Sequence, residues 1–245
     1  MAGVRDNPLR VPGNGHGGVG MRGFLGRSPN LFRLLYGLKG EERVVGKDTR
    51  IVIEGFPRSA NTFAVLAFEQ AQPRKVRIAH HIHSPAQVLL ASRWKIPTMV
   101  LIRRPQDAVA SWVIWDGHDI AWALRYYTYF YSTVAYCKND YLLAPFEEVT
   151  EDYGAVIRRM NEKFGTDFHP FEHTPENVRE VYSRIEDLHR RRNGGNVYEV
   201  KLARPTKAKD LPKREVLRWL RAPRYGRLLS EATAVYEDLL GSRKI

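Results

Sequence analysis

The sequence predicts an α/β fold, a single three-layer domain in which helices cover both faces of a central parallel sheet. Short apolar runs, typical of buried strands, alternate along the chain with longer segments of helical pattern. The length of 245 residues suits one domain of this class, and an apolar content of 43% supports a packed core. One connection from a strand to a helix also has the composition of a phosphate-binding loop.

Each expected element rests on a local pattern. Strands are expected where a short apolar run precedes a turn, and helices where apolar residues recur at helical spacing. Ser84 and Pro85 suit the N-cap and first position of one helix, and Thr150 suits the N-cap of another. The expected strands are residues 50–54, 75–79, 97–102 and 141–144; the expected helices are residues 29–38, 61–70, 119–138, 150–164, 176–190, 213–220 and 224–240, with two more starting near Pro85 and Gln106.

Composition divides the chain into an arm and a domain. Residues 1–28 are rich in Gly and Arg and have no continuous apolar segment, so we expect a flexible basic arm rather than a signal peptide. Residues 29–245 are expected to form the α/β domain. Cys137 is the only cysteine, which favours a reducing, cytoplasmic location, and no run is long and apolar enough to span a bilayer.

The segment GFPRSANTF (residues 55–63) follows an apolar strand and precedes a helical stretch. Its spacing is close to that of the nucleotide-binding P-loop, which ends in a glycine, a lysine and a hydroxyl residue. Gly55 and Thr62 fit the first and last positions, whereas Asn61 replaces the lysine and a positive charge appears at Arg58 instead. This P-loop-like strand–loop–helix, whose residues 55–62 we call the phosphate loop, predicts a phosphate site without the lysine that the β- and γ-phosphates of ATP require.

Two more polar clusters follow predicted strands. Arg103 ends the third strand and Ser111 lies two turns into the next helix, so the two side chains can grip one phosphate from two sides. The second strand runs into three histidines, which suit either a metal site or a general base: His80, His81 and His83. Because ligands bind beyond the carboxyl ends of parallel strands, we expect both clusters to meet the phosphate loop if the strands are neighbours.

These segments resemble two motifs of the PAPS-dependent sulfotransferases, in which 3′-phosphoadenosine 5′-phosphosulfate (PAPS) is the sulfuryl donor. GFPRSANTF resembles the family's 5′-phosphosulfate loop, where many bacterial members carry Arg for Lys and Asn for Thr. The segment VLIRRPQDAVAS (residues 100–111) resembles the family's 3′-phosphate strand and helix, with Arg103, Asp107 and Ser111 at the family's spacing. The two motifs cover the N-terminal half of the chain, and residues 142–148 weakly resemble a later strand of the family.

The resemblance implies a role for each residue of the donor site. Arg58 would neutralise charge on the bridging oxygen and the leaving phosphate, and Phe63 would stack on adenine. Arg103 and Ser111 would bind the 3′-phosphate. The 5′-phosphate would be held by the Thr62 hydroxyl and by the backbone N–H groups of Ser59, Ala60, Asn61 and Thr62.

The resemblance also implies a histidine base after the second strand. Counting back from Arg103 at the family's distance gives His81, whereas matching the residues before the proline gives His83. We expect His81 to be the base, with His83 as the second candidate. Ala79 stands where the family has a lysine, which leaves Arg58 as the main cation at the sulfuryl group.

The family closes the donor site with a late basic loop, which residues 191–194 resemble. Arg192 is therefore expected near the 3′-phosphate, with Lys207 or Lys209 as a substitute. The implied co-substrate is PAPS, with no metal requirement because only the sulfuryl group moves. The implied acceptor is a hydroxyl or amine of a small molecule or glycan.

Two other classes of function fit part of the sequence. A net charge of +12 indicates anionic partners, which allows a non-catalytic nucleic-acid-binding module, but the basic residues are dispersed. A P-loop kinase or NTPase would need a lysine beside Thr62 and an acidic magnesium ligand after a strand. Asn61 occupies the first of these positions, so the phosphorylated cofactor of a sulfotransferase is the better interpretation.

Overall fold

A computed structural model of the chain describes residues 43–242. It is an α/β domain with a four-stranded, all-parallel sheet flanked by helices, so the predicted fold class is confirmed. The arm expected at residues 1–28 and the helix expected at residues 29–38 lie outside the described residues.

The central position of the first strand organises the sheet. Val52 pairs with Ala79 on one side and with Thr98 on the other, so the first strand is bonded to two neighbours. All four predicted strands are present, each within three residues of its expected bounds. They are β1 (Ile51–Gly55), β2 (Ile78–His80), β3 (Thr98–Ile102) and β4 (Leu142–Pro145), in the order β2-β1-β3-β4.

The helices follow the strands much as the sequence predicts. No helix within residues 43–242 is long and apolar enough to cross a membrane. Two short 3₁₀ turns, at residues 199–201 and 207–209, lie between the helix that ends at Arg192 and the helix that begins at Asp210. The helices are α1 (Asn61–Ala71), α2 (Pro85–Arg93), α3 (Pro105–Asp116), α4 (Ile120–Val134), α5 (Phe146–Glu151), α6 (Tyr153–Phe164), α7 (Pro175–Arg192), α8 (Asp210–Leu220) and α9 (Pro223–Gly241).

Three layers result because alternate residues of each strand face opposite cores. Val100 and Ile102 of β3 pack with α3, α4, α8 and α9. Met99 and Leu101, on the other face, pack with α1, α6 and α7. A smaller core around Val52 lies between the sheet and α2. The near-continuous apolar strands of the sequence are therefore buried on both faces.

Two helix boundaries differ from the sequence prediction. The expected helix at 150–164 is two helices, and Asp152 caps the second by accepting a hydrogen bond from the Ala155 N–H. Thr150 is not a cap, because its hydroxyl donates to the Phe146 carbonyl one turn earlier in α5. The expected aromatic helix at 119–138 ends at Val134 and continues as a 3₁₀ turn, in which the backbone of Cys137 is not helical.

The glycine that ends β1 is required by the close approach of β3. A Cβ at Gly55 would lie 2.5 Å from the Leu101 carbonyl oxygen, so Gly55→Ala must push the two strands apart. We expect a loss of about 1–3 kcal/mol in the free energy of unfolding, measured by urea denaturation. The matched control is Gly226→Ala in α9, where the new Cβ meets nothing within 4 Å. That change should be neutral or should stabilise the protein by about 0.5–1 kcal/mol. Equal effects at both sites would contradict the claim that the close approach of β3 requires a glycine at position 55.

Candidate functional site

Three loops meet at the carboxyl edge of the sheet. The phosphate loop follows β1, the loop with His81 and His83 follows β2, and Arg103 follows β3. Because β1 lies between β2 and β3, these loops are neighbours in space, as the sequence prediction required.

The phosphate loop presents an uncapped helix N-terminus. Ala60 precedes α1 in a left-handed conformation with φ 71°, and within the described part of the chain no side chain caps the helix. The Ser59 N–H is occupied by the Phe56 carbonyl at 3.3 Å, and the Asn61 side-chain amide donates to the same carbonyl at 3.0 Å. Asn61 therefore braces the loop, while the first N–H groups of α1 are directed at a potential anion.

Unusual backbone conformations concentrate at this edge. Among residues 43–242, five non-glycine residues have positive φ, and four of them lie in two of these loops. Such conformations are costly for ordinary side chains and persist where the surrounding structure imposes them, often at functional sites. The four residues are Arg58 (φ 68°), Ala60 (φ 71°), His81 (φ 57°) and His83 (φ 56°).

Arg58, Arg103 and Ser111 lie together at the side of the loop that faces β3. Arg58 donates from Nε to the Ser111 hydroxyl at 3.0 Å, and Arg103 donates to the Arg58 carbonyl at 3.1 Å. The Arg103 guanidinium also covers the ring of Phe146, 3.9 Å from its centroid. Burial and the nearby Arg103 lower the pKa of Arg58 to about 10, which leaves it protonated at pH 7. Two cations thus share a half-buried site that favours an anion.

A late segment of the chain adds a third cation to this side. Arg58 donates to the Leu202 carbonyl at 2.8 Å, and Lys209 donates to the carbonyls of Leu202 and Arg204. Burial and the charges of Arg58, Arg204 and Arg103 lower the pKa of Lys209 to about 7. Lys209, named from the sequence only as a substitute, is therefore the late basic residue that comes close to Arg58.

His81 is held between two polar neighbours. Its Nδ1 lies 2.6 Å from Nδ1 of His80, and its Nε2 lies 3.1 Å from the Thr62 hydroxyl. Burial, with the nearby His83 and His80, lowers the pKa of His81 well below its usual value of 6.5. Burial likewise lowers the pKa of His80 to about 4, so both rings are neutral at pH 7. When His81 donates to His80, the lone pair on Nε2 accepts from the Thr62 hydroxyl.

His83 is fixed by the first residue of the phosphate loop. Its Nδ1 lies 2.8 Å from the Gly55 carbonyl, which can only accept, so Nδ1 carries the proton and Nε2 the lone pair of the neutral ring. Within residues 43–242, no group of three or more His, Cys, Asp or Glu side chains is arranged to hold a metal ion.

A buried carboxylate that sequence analysis missed joins the loops after β1 and β2. Glu54 is fully buried and accepts from the Gly55 N–H at 3.1 Å, the Ile82 N–H at 3.0 Å and the Gln87 side chain at 3.0 Å. Burial raises the pKa of Glu54 to about 7, although these donors and the backbone of His83 act in the opposite direction. In the sequence, Glu54 is a single polar residue at the end of an apolar strand. Its hydrogen-bond donors from the loop after β2 are visible only in the structure.

Tyrosines of α4 brace the same edge from one face of the sheet. Their hydroxyls donate to backbone carbonyls at 2.6–2.7 Å, which satisfies groups that the loops leave unpaired. Their rings are buried in the core between α4 and the sheet. Their role as hydrogen-bond donors to the backbone at this edge is visible only in the structure. The pairs are Tyr126 with His83, Tyr127 with Arg103 and Tyr131 with Leu101.

A cleft of about 940 Å³ opens beside the histidines, between α1, β2 and α7. Thr62, His80 and His81 line one end of it, and Arg192 lies on the α7 wall. Arg192 is close enough to His80 and His81 for its charge to contribute, after burial, to lowering their pKa values. The structure therefore places Arg192 on the histidine side of the phosphate loop, whereas Ser111 bonds to Arg58 on the side that faces β3.

Phe63 does not offer an open face for stacking. It is 3% exposed and packs against Tyr153, Phe171 and Tyr182, between α1 and the helices behind it. The expectation that Phe63 stacks on adenine is therefore corrected, because its position on α1 points into the core.

No protein-family model and no curated protein sequence matches this chain. Among solved structures, the chain is similar to the crystal structure of mouse sulfotransferase SULT7A1 in complex with PAP. The two chains are 14% identical, with a TM-score of 0.41, and the match covers 79% of this chain and 92% of that chain. A likeness this distant carries no argument about function, which therefore depends on the site itself.

Proposed function

We propose that this protein is a sulfotransferase, which moves the sulfuryl group of PAPS to a hydroxyl or amine of an acceptor. The observation that carries this proposal is the contact of Arg58 with Ser111, made beside Arg103 and at the uncapped N-terminus of α1. This arrangement offers two neighbouring anion sites, the N-terminus of α1 and the cluster of Arg58, Arg103 and Ser111. A nucleotide with phosphates at both the 3′ and 5′ positions would fill both.

The donor would be held by the residues that face β3. The backbone N–H groups of α1 from Asn61 would bind the 5′-phosphate, since a helix N-terminus favours an anion. The Thr62 hydroxyl would join them by turning its proton from His81 Nε2 to the phosphate, which would also free Nε2 for the acceptor. Arg103 and Ser111 would bind the 3′-phosphate, and Lys209 would approach the same side. Of the sequence expectations, the Ser59 N–H is the least suited to the 5′-phosphate because it already bonds to Phe56.

The transfer itself would need positioning, charge stabilisation and one proton acceptor. The acceptor oxygen or nitrogen would form a bond to sulfur as the bond from sulfur to the bridging oxygen breaks. The leaving phosphate would keep that electron pair, and Arg58 would stabilise its charge. His81 would take the proton of the acceptor on Nε2, and His83 is the second candidate for this role.

The alternative function, a P-loop kinase or NTPase, lacks support at the position of the P-loop lysine. Asn61 stands where a P-loop lysine would be, and its side chain braces the loop instead of reaching a phosphate.

We also propose a reducing, cytoplasmic location. The single cysteine, Cys137, fits this location because it has no second cysteine in the chain with which to form a disulfide.

Ligand-induced stabilisation tests the donor class. We expect adenosine 3′,5′-bisphosphate to stabilise the protein by about 2.7 kcal/mol at a hundredfold excess over its Kd, with or without Mg²⁺. ATP with Mg²⁺ and single-stranded DNA should stabilise it far less. Ser111→Ala should weaken bisphosphate binding about tenfold or more, because a hydrogen bond to a charged group is lost.

The matched control for this test is Arg125→Ala, since Arg125 is an exposed arginine on α4 away from the loops. It should leave the bisphosphate affinity unchanged. Stabilisation by ATP with Mg²⁺ but not by the bisphosphate would sink the sulfotransferase proposal in favour of a kinase or NTPase.

Asparagine substitutions test the base, because asparagine tolerates the left-handed backbone of His81 and His83 better than alanine does. We expect His81→Asn to lower the rate of transfer from labelled PAPS by about 10²- to 10⁴-fold while bisphosphate affinity is retained. The low pKa of His81 predicts that kcat/KM of the unaltered protein falls only well below pH 6.5, where the base becomes protonated. Full turnover by His81→Asn together with loss of turnover in His83→Asn would assign the base to His83.

A further inference from the structure

The cleft beside His81 is bounded by cations on both walls. Six basic side chains line it, against the two acidic side chains of Glu69 and Asp187. Both acids are already neutralised, Glu69 by Arg184 at 2.8 Å and Asp187 by Arg190 at 2.8 Å. The basic residues are Arg43, Lys75, Arg77, Arg184, Arg191 and Arg192.

Four of these cations have no counter-ion in the described part of the chain. Arg77 pairs with Asp48 and Arg184 with Glu69, whereas no salt bridge within residues 43–242 involves the remaining four. Burial and, to a smaller extent, the charge of Arg43 lower the pKa of Arg192, so like charges approach each other here. A cleft with uncompensated charge of one sign favours a ligand of the opposite sign. The four are Arg43, Lys75, Arg191 and Arg192.

The charges are distributed along the length of the cleft. Arg192 lies near His80 and His81, where its charge contributes to lowering their pKa values. Arg184 bonds to Glu69, which is seven residues and about 10 Å along α1 from Thr62. Lys75 lines the cleft before the start of β2, whose last residue is His80. Between these ends the lining is apolar, with Val65, Leu66, Val76, Ile78 and Leu188. The cleft thus suits a body longer than one ring that carries anionic groups at intervals.

We propose that the acceptor is itself an anion, an oligosaccharide whose carboxylate or sulfate groups lie along this cleft with one hydroxyl at His81. The proposal rests on the sulfotransferase function and names its acceptor class. An acidic peptide that bound as an added strand at the edge of β2, a common mode of peptide recognition, would suit the site less well. The His80 N–H at that edge is already bonded to the Arg43 carbonyl at 3.0 Å.

In this arrangement Arg192 binds the acceptor rather than the donor. Arg43 and Arg192 would hold an anionic group close to the reacting hydroxyl, and Lys75 would hold a second group further along. Attack on sulfur proceeds as in the proposed transfer, with the hydroxyl proton passing to His81.

Calorimetric binding with a matched pair of saccharides tests the inference independently of turnover. The probe is a tetrasaccharide of alternating uronic acid and N-acetylhexosamine, and its control is the same saccharide with every carboxyl group reduced to an alcohol. We expect the acidic form to bind at least about tenfold more tightly, with an advantage that shrinks as salt is added. Arg192→Gln and Lys75→Gln should each lower that advantage by about threefold, so that together they account for about tenfold.

Two controls separate this inference from the proposed function. Arg179→Gln changes an arginine of α7 that pairs with Glu176 and does not line the cleft, so it should have no effect on saccharide binding. Affinity for adenosine 3′,5′-bisphosphate is measured on every variant and should not change.

Equal binding of the two saccharides, binding of neither, or tighter binding of a glutamate-rich peptide would overturn the inference. A loss of bisphosphate affinity in Arg192→Gln would also overturn the inference, because it would show that Arg192 binds the donor and not the acceptor. Failure of the unaltered protein to bind the bisphosphate, with the acidic saccharide still bound, would count against the sulfotransferase function and not against an anion in this cleft.

Discussion

The position of β1 between β2 and β3 is the constraint on which the candidate site depends. The ends of three parallel strands are thereby adjacent, so the phosphate loop, the histidines and Arg103 face one another without any long connection. The close approach of Gly55 to Leu101 shows how tightly this edge is packed. Arg58 and Arg103 therefore lie on the β3 side of the phosphate loop, and the histidines lie on its β2 side.

The site keeps its geometry through buried polar contacts beneath it. Glu54 ties the phosphate loop to the loop after β2, and tyrosine hydroxyls of α4 bond to carbonyls of the loops after β2 and β3. These contacts offset the cost of left-handed backbone at Arg58 and His81. The like charges of Arg58 and Arg103, held a short distance apart, make an anionic ligand the natural complement of this edge.

Local patterns were sufficient to predict the strands, most helices and the grouping of Arg58, Arg103 and Ser111. Those features depend on apolar runs, turn residues and the rule that parallel strands end at one edge. Features that depend on distant packing were not predictable. Phe63 falls on the buried side of α1, Arg192 belongs to the wall of the cleft, and Glu54 finds donors more than twenty residues away in the chain. Sequence spacing does not determine such partners, because they depend on how helices pack on the sheet.

A crystal structure of the protein with adenosine 3′,5′-bisphosphate is the most direct measurement of the central claim, that one edge of the sheet binds both phosphates. The 5′-phosphate should lie about 3 Å from the N–H groups at the start of α1, and the 3′-phosphate should contact Arg103 and Ser111. Binding of the nucleotide in the cleft beside Arg192, or with the two phosphates exchanged, would contradict the account.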